Sequence, residues 1–530
     1  MKRDLAALSS TQPFDILICG GGIYGAWTAY DAALRGLKVA IVEQNDWGSA
    51  TSSASTKLIH GGLRYLETYD FKLVRKSLKE RTMLLQHAPH RVWPLRFGVP
   101  VFAQQRINRL QLKIGLTLYD YLADDADVSV PHRYFDAKQF SAHFSALKEQ
   151  DLKGGFTYTD AQTDDARLVL ELISGALAAG ACCVNYCQLT QVLEENEKAV
   201  GALVRDQLTQ TEYRIAAKQI VFTTGQWLAN DKQSQQWCRF AKGVHLVMPA
   251  ILNDEALLLT APSDGRVFFM IPWYGLTLLG TTDTDFNGNV EQVVVDDNDI
   301  DYLLAAANRY LKTPWRRSDI IGGFAGIRVF KHGIQQDSIQ SPSKVSRDWE
   351  IKTAANGTHY AIGGKITSSR QDAAAIVDTV CRQLGISTPC ATLNRSLPWA
   401  PRENFLIWST QMKNQAMQLG IDAESAHWLL HRHGTKVCDI FQQIKIDSNA
   451  AQRIVSSLPL IYADLLYCAA SEMVCHLDDL LRRRLPMLIL ANLTEDDLHR
   501  FAQRVASIFQ WDSARIEQEK TRCSRYRISP

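Results

Sequence analysis

The residues best suited to chemistry by type and spacing open the chain: Gly20-Gly21-Gly22-Ile23-Tyr24-Gly25, with Glu43 standing 23 positions after the first glycine. The G-x-G-x-x-G spacing suits a pyrophosphate. Gly20 permits a tight turn, Gly22 lets backbone N–H groups approach phosphate oxygens, and Gly25 lets a helix pack closely on a strand. A helix starting at this turn adds unpaired donors and a positive dipole. Glu43 is placed to accept hydrogen bonds from ribose hydroxyls. Alone the glycine motif is weak; in a strand–turn–helix–strand setting it predicts a dinucleotide, without choosing between FAD and NAD. Other groupings point away from metal chemistry. His427, His431 and His433 include an H-x-x-x-H spacing, but Trp428 stands where a metalloprotease needs glutamate, so an exposed or interface helix is expected there. The eleven cysteines contain no C-x-x-C pair, which disfavours a zinc site and a disulfide framework.

The elements that must position the glycines read clearly. Phe14 to Cys19 (FDILIC) is an apolar run, as for a parallel strand buried on both faces. AWTAYDAALR has helical spacing and a stop at Gly36, and Lys38 to Val42 forms a second strand ending at Glu43. QIVFTTG (219–225) reads as a further parallel strand returning to the cofactor. The whole chain has 530 residues, 58 Lys+Arg against 56 Asp+Glu, and a net charge of +2, so no global field for nucleic acid exists. With 46% hydrophobic and 22% charged residues it is globular, and its length suggests two to four domains. No run of 18 apolar residues predicts a membrane-spanning helix, and the N-terminus lacks the apolar core of a signal peptide. A large soluble or surface-bound intracellular protein is expected.

A second block is more specific: Ala50-Thr51-Ser52-Ser53-Ala54-Ser55-Thr56-Lys57-Leu58-Ile59-His60-Gly61-Gly62-Leu63-Arg64-Tyr65-Leu66-Glu67. Together with FDILICGGGIYGA it closely resembles the FAD-dependent, respiratory glycerol-3-phosphate dehydrogenases. Later motifs agree in order: Gly243-Val244-His245, IPWYGLTLLGTTDTDF (271–286), Gly326-Ile327-Arg328, Ser346-Arg347-Asp348, Gly363-Gly364-Lys365-Ile366-Thr367 and the C-terminal LLYCAASEMVCHLDDLLRRRLPMLIL (465–490). Val329, Ser368-Ser369, Gln226 and SLPWAP (396–401) depart from the family pattern.

The resemblance implies FAD as cofactor and oxidation of sn-glycerol 3-phosphate to dihydroxyacetone phosphate. Electrons would pass to ubiquinone or menaquinone at the cytoplasmic side of the inner membrane. It implies His245 and Arg328 as catalytic residues, with either able to act on the substrate hydroxyl: the imidazole as a base, the guanidinium as an electrostatic stabiliser. Arg64, Tyr65, Arg347 and Lys365 would bind the substrate phosphate, arginine forks suiting its oxygens. Gly20, Gly22, Gly25, Glu43, Ser52, Ser53, His60, Gly61, Gly62, Gly225, Gly364, Lys365 and Thr367 would meet the cofactor. The glycines at 363–364 precede a helical run (370–384) whose start would face the flavin C2 carbonyl.

The expected fold is α/β: a doubly wound FAD domain of the glutathione-reductase or D-amino-acid-oxidase kind, an antiparallel-sheet substrate domain and a C-terminal helical domain. Boundaries are expected at 14–84, 155–245 and 325–390 for the FAD domain, 85–154 and 246–324 for the substrate domain, and 400–530 for the helices. Within 106–122, Ile107, Leu110, Ile114, Leu118 and Tyr121 form one stripe beside Arg106, Arg109 and Lys113. That is the pattern of a basic amphipathic helix lying on a membrane surface, and the resemblance favours monotopic binding. A homodimer is a further arrangement open to it.

Overall fold

The computed structural model describes residues 1–530 apart from 68, 104–106, 124–129, 231, 332–347 and 527–530. Arg106 and Arg347 therefore lie outside the described residues. Two sheets organise the rest. In the first, strands run in the order Trp349–Thr353, His359–Gly363, Glu212–Phe222, Phe14–Cys19, Val39–Val42, Cys182–Val184. Pairing is parallel from His359–Gly363 to Cys182–Val184, with Ile16 opposite Val39 and Ile18 opposite Val221. The apolar FDILIC run occupies the centre because both its faces are covered. Ile23–Leu34 packs against Asp165–Ala178 and Ser369–Leu384, and Ile16, Leu17 and Ile18 are fully buried. Each such side chain contributes about 1.5–3 kcal/mol by leaving water. Asp164 starts its helix by accepting from the Arg167 N–H at 3.2 Å.

The second sheet has ten strands and is antiparallel except where Glu255–Thr260 runs parallel to Val92–Phe102. Leu58–Ile59, Leu152–Thr163, Cys238–Met248 and Gly322–Lys331 all belong to this sheet, so strands from within 14–84, 155–245 and 325–390 share it with strands from 85–154 and 246–324. Strand–helix alternation along the chain does not reveal which sheet a strand joins; cross-strand pairing does.

Residues 405–524 are helical. This region is clamped to the FAD domain by buried charges: Arg483 Nε lies 2.6 Å from Asp46, Arg484 pairs with the same carboxylate, and Arg167 meets Glu472 at 2.5 Å. Such pairs orient one body on another more than they stabilise it, but losing one partner strands a buried charge. His431 and His433 are part of this interface: His431 Nδ1 lies 2.8 Å from the His90 carbonyl and His433 Nδ1 lies 3.2 Å from Arg167 Nη2.

Candidate active site

One long cleft runs between the two sheets, holding about 1540 Å³ of space with its solvent-open part included. Gly20, Gly22, Glu43, Ser52, His60, Tyr65, Gly225, His245, Arg328, Gly364, Lys365 and Thr367 all line it. Residues far apart in sequence are thus brought together. Gly25, Ser53, Gly61, Gly62 and Arg64 are not among the lining residues, Arg64 standing next to Tyr65, which is.

At the dinucleotide end the surface is mostly backbone. Gly20 has φ +111°, and a Cβ there would lie 2.6 Å from the Thr223 carbonyl oxygen. A side chain at Gly25 would overlap the Gly20 carbonyl, so Gly25 serves helix–strand packing. The Glu43 carboxylate accepts from the Gly21 N–H (2.6 Å) and the Asn45 N–H (2.8 Å), while burial raises its pKa. It therefore fixes the turn as well as edging the cleft. Ser52 Oγ accepts from the Ile23 N–H at 2.9 Å, tying the 50–55 loop to the helix start.

A second glycine turn faces the first. A Cβ on Gly364 would overlap the Tyr24 hydroxyl, which donates to Asp372 at 2.5 Å. The Ser368 hydroxyl donates to the same carboxylate at 2.8 Å and that of Ser369 to the Ile366 carbonyl at 2.7 Å, so both unusual serines serve the turn. Thr367 Oγ1 accepts from the His60 N–H at 3.2 Å, and the Gly61 N–H donates to Asp160 at 3.3 Å. Gly61 lies against Tyr119 and Leu78, and Gly62 against the Tyr65 ring.

The other end is made of side chains. The Lys365 ammonium sits 4.0 Å from the centre of the Tyr65 ring and the Arg64 guanidinium 5.2 Å from it. Arg64 Nη2 is buried with no hydrogen-bond partner among the described residues. On the second sheet, Gly243 stands opposite Gly326, His245 opposite Phe324 and Ala241 opposite Arg328. Directly paired residues share a face, so His245 and Arg328 project to the same side. The glycines make room: a Cβ on Gly243 would overlap the Arg328 guanidinium, and one on Gly280 the His245 ring. Arg328 is aimed by Asp283 and the Thr282 carbonyl, both 2.9 Å from Nη1, and by Thr281 Oγ1, 2.8 Å from Nη2.

His245 is 1% exposed and stacks on Phe324 at 5.0 Å and 20°. Its Nε2 is 3.0 Å from Thr56 Oγ1, and its buried Nδ1 has no partner among the described residues. Burial, then the charges of Arg328 and Lys57, hold its pKa well below the usual histidine range, so the imidazole is neutral. Thr56, Lys57, Tyr24, Asp283, Phe324 and Gly280 were given no role from sequence. A glycine facing a ring across two strands becomes visible only once the register is known.

Comparisons with known proteins agree with this geometry. Residues 15–370 match the model of the family described as FAD dependent oxidoreductase, and 390–516 match that of the C-terminal domain of alpha-glycerophosphate oxidase. The aerobic glycerol-3-phosphate dehydrogenase of Bacillus subtilis is 33% identical, covering 97% of this chain and 94% of its own. The glycerol-3-phosphate dehydrogenase of Synechocystis is 34% identical over 92% of this chain and 91% of its own.

The chain belongs to the FAD-dependent glycerol-3-phosphate dehydrogenase family.

A solved structure of this family, from Bacillus halodurans and complexed with FAD, superposes with a TM-score of 0.79 at 28% identity, covering 98% of this chain and 95% of that one. The cofactor of this family member is FAD, and its cleft fits the group. Two bare glycine turns and a buried carboxylate suit the dinucleotide, while the unpartnered Arg64 and His245 nitrogens suit a polar ligand at the far end.

Proposed function

We propose that the protein oxidises sn-glycerol 3-phosphate to dihydroxyacetone phosphate and passes the electrons to a membrane quinone, ubiquinone or menaquinone. Bound FAD supplies the two-electron acceptor for the hydride that leaves the substrate C2. The chain's own residues do the rest. Arg64, Tyr65 and Lys365, with Arg347, hold the phosphate, where cations suit its dianionic form. Arg328, fixed by Asp283, points its positive charge at the C2 oxygen and stabilises it as the proton leaves. His245 Nδ1 accepts that proton, and the C2–O bond becomes the carbonyl. The observation carrying this reading is a buried, neutral imidazole whose Nδ1 has no partner among the described residues and which shares one cleft with Arg328 and Lys365. The relatives' names supply the substrate. Adding sn-glycerol 3-phosphate to the anaerobic holoenzyme should bleach the flavin band; a spectrum that stays oxidised refutes the substrate. Hydrogen peroxide formed in air at the turnover rate would replace the quinone with oxygen.

The membrane reading rests on the Arg109–Leu122 helix. It docks through Leu112, Leu116 and Tyr119, leaving Leu110 (65%), Ile114 (60%) and Tyr121 (83%) exposed near Arg109 and Lys113. An apolar stripe turned to solvent beside basic residues suits the cytoplasmic face of the inner membrane. Among the described residues no helix is long and apolar enough to cross a bilayer. Neutralising Arg106, Arg109 and Lys113 should reduce co-sedimentation with anionic vesicles; unchanged binding would rule this surface out.

A further inference from the structure

We propose that Thr56 and Lys57, neighbours in the chain, are positioning residues for His245: Thr56 fixes which imidazole nitrogen carries the proton, and the buried Lys57–Asp165 pair keeps the ring from taking a second proton before the substrate gives one up. The inference rests on the reading of His245 as proton acceptor.

Thr56 Oγ1 is the hydrogen-bond partner of Nε2, at 3.0 Å, and Nδ1 has none among the described residues. When Nε2 carries the hydrogen and donates it to Thr56, the lone pair lies on the nitrogen left for substrate. The opposite tautomer puts a buried N–H where a base is needed. Lys57 is 2% exposed, and its φ of +59° lies in the left-handed region that side chains avoid. Strain of this kind persists where the surroundings over-determine it. They do so here. The ammonium lies 2.6 Å from Asp165, which also accepts from the Ser55 N–H (3.1 Å) and hydroxyl (2.7 Å). The same ammonium is 5.3 Å from the centre of Phe324, the ring on which His245 stacks.

The other charges around the imidazole are accounted for. Arg328 from the neighbouring strand is paired with Asp283. Arg482 from the helical domain lies 5.3 Å from the Phe324 ring centre and donates to the Ser53 carbonyl. On the strand of His245 itself, Lys242 is paired with Asp296 and Asp299, and Arg239 with Asp285. His60 and Lys365 line the same cleft. Burial is the main bias against a charged imidazole, and the charges of Arg328 and Lys57 add to it.

The test measures the limiting rate of flavin reduction at saturating sn-glycerol 3-phosphate, in the holoenzyme, from pH 5 to 9. Thr56→Val should slow it about 100-fold with FAD content unchanged, and Thr56→Ser should recover most of the loss. The double variant Lys57→Met/Asp165→Asn leaves no orphan charge and should move the acidic limb of the profile up by about one pH unit. Nitrogen NMR of histidine-labelled holoenzyme, assigned with His245→Gln, should report the Nε2–H tautomer. A wild-type rate in Thr56→Val, an unmoved limb in the double variant, or an Nδ1–H tautomer would each overturn the proposal. A full rate in His245→Gln would instead overturn the base assignment beneath it.

Discussion

The two ends of the cleft are built by different means. The dinucleotide end is made of backbone within one short stretch, Gly20 to Glu43, answered by a second turn at Gly363–Gly364. The other end is made of side chains from residues 56–65, Cys238–Met248, Gly322–Lys331 and the 363–367 turn. Glycines matter at both, for different reasons. At Gly25 the excluded neighbour is backbone, which cannot give way. At Gly243 and Gly280 it is a side chain, the Arg328 guanidinium and the His245 ring. The first end is therefore rigid by local geometry, and the second is a fitted arrangement whose parts can be displaced one at a time without unfolding the sheet.

Substitutions at corresponding points should separate the ends. The largest effect is expected for Gly25→Ala, whose Cβ would strike the Gly20 carbonyl. Overpacking there should cost about 3 kcal/mol, seen as a lower Tm and protein purified without FAD. Retention of FAD by this variant would mean the turn relaxes and the ends are not so unlike. Next, His245→Asn should keep FAD and lower the rate of flavin reduction by about 10²–10⁴-fold. Gly280→Ala should mimic it more weakly, by about tenfold, by pushing the ring off its Thr56 contact. Loss of FAD in Gly280→Ala would show that the two ends fold as one unit.

Arg64→Met comes fourth and sharpens the contrast. Its buried Nη2 lacks a partner, so truncation removes a desolvation cost; Tm should hold or rise while kcat/KM falls about 10- to 100-fold. The smallest effect concerns pH. Because His245 is held neutral, the limiting reduction rate in the wild type should stay flat as pH falls through 6.5, the ordinary histidine value. A group with a depressed pKa remains a base until pH falls through that lower value. A limb centred near 6.5 would mean the cations do not act on the ring.

Legibility followed the same division. The Gly20–Glu43 unit was readable because its meaning depends only on neighbours in sequence: an apolar run, a turn, a helix, an acid. His245, Arg328 and Lys365 were found through their motifs, and all three line the cleft. Gly61 and Gly62 are not among the residues lining the cleft, and their motif says nothing of Tyr119 and Leu78, which press against Gly61 from elsewhere in the chain. Thr56 went unassigned because a threonine in a polar loop has no signature until its hydroxyl meets an imidazole 189 positions away.

The sequence by itself determined the nucleotide-binding turn, the helical C-terminal region and the family, since each is written in contiguous patterns of glycine, apolar and charged residues. Only the tertiary structure decided that Cys238–Met248 and Gly322–Lys331 join the second sheet, in the register that sets His245 against Phe324 and beside Gly280. Register is a property of two strands together, fixed by packing between segments distant in the chain, and no single stretch of residues encodes it.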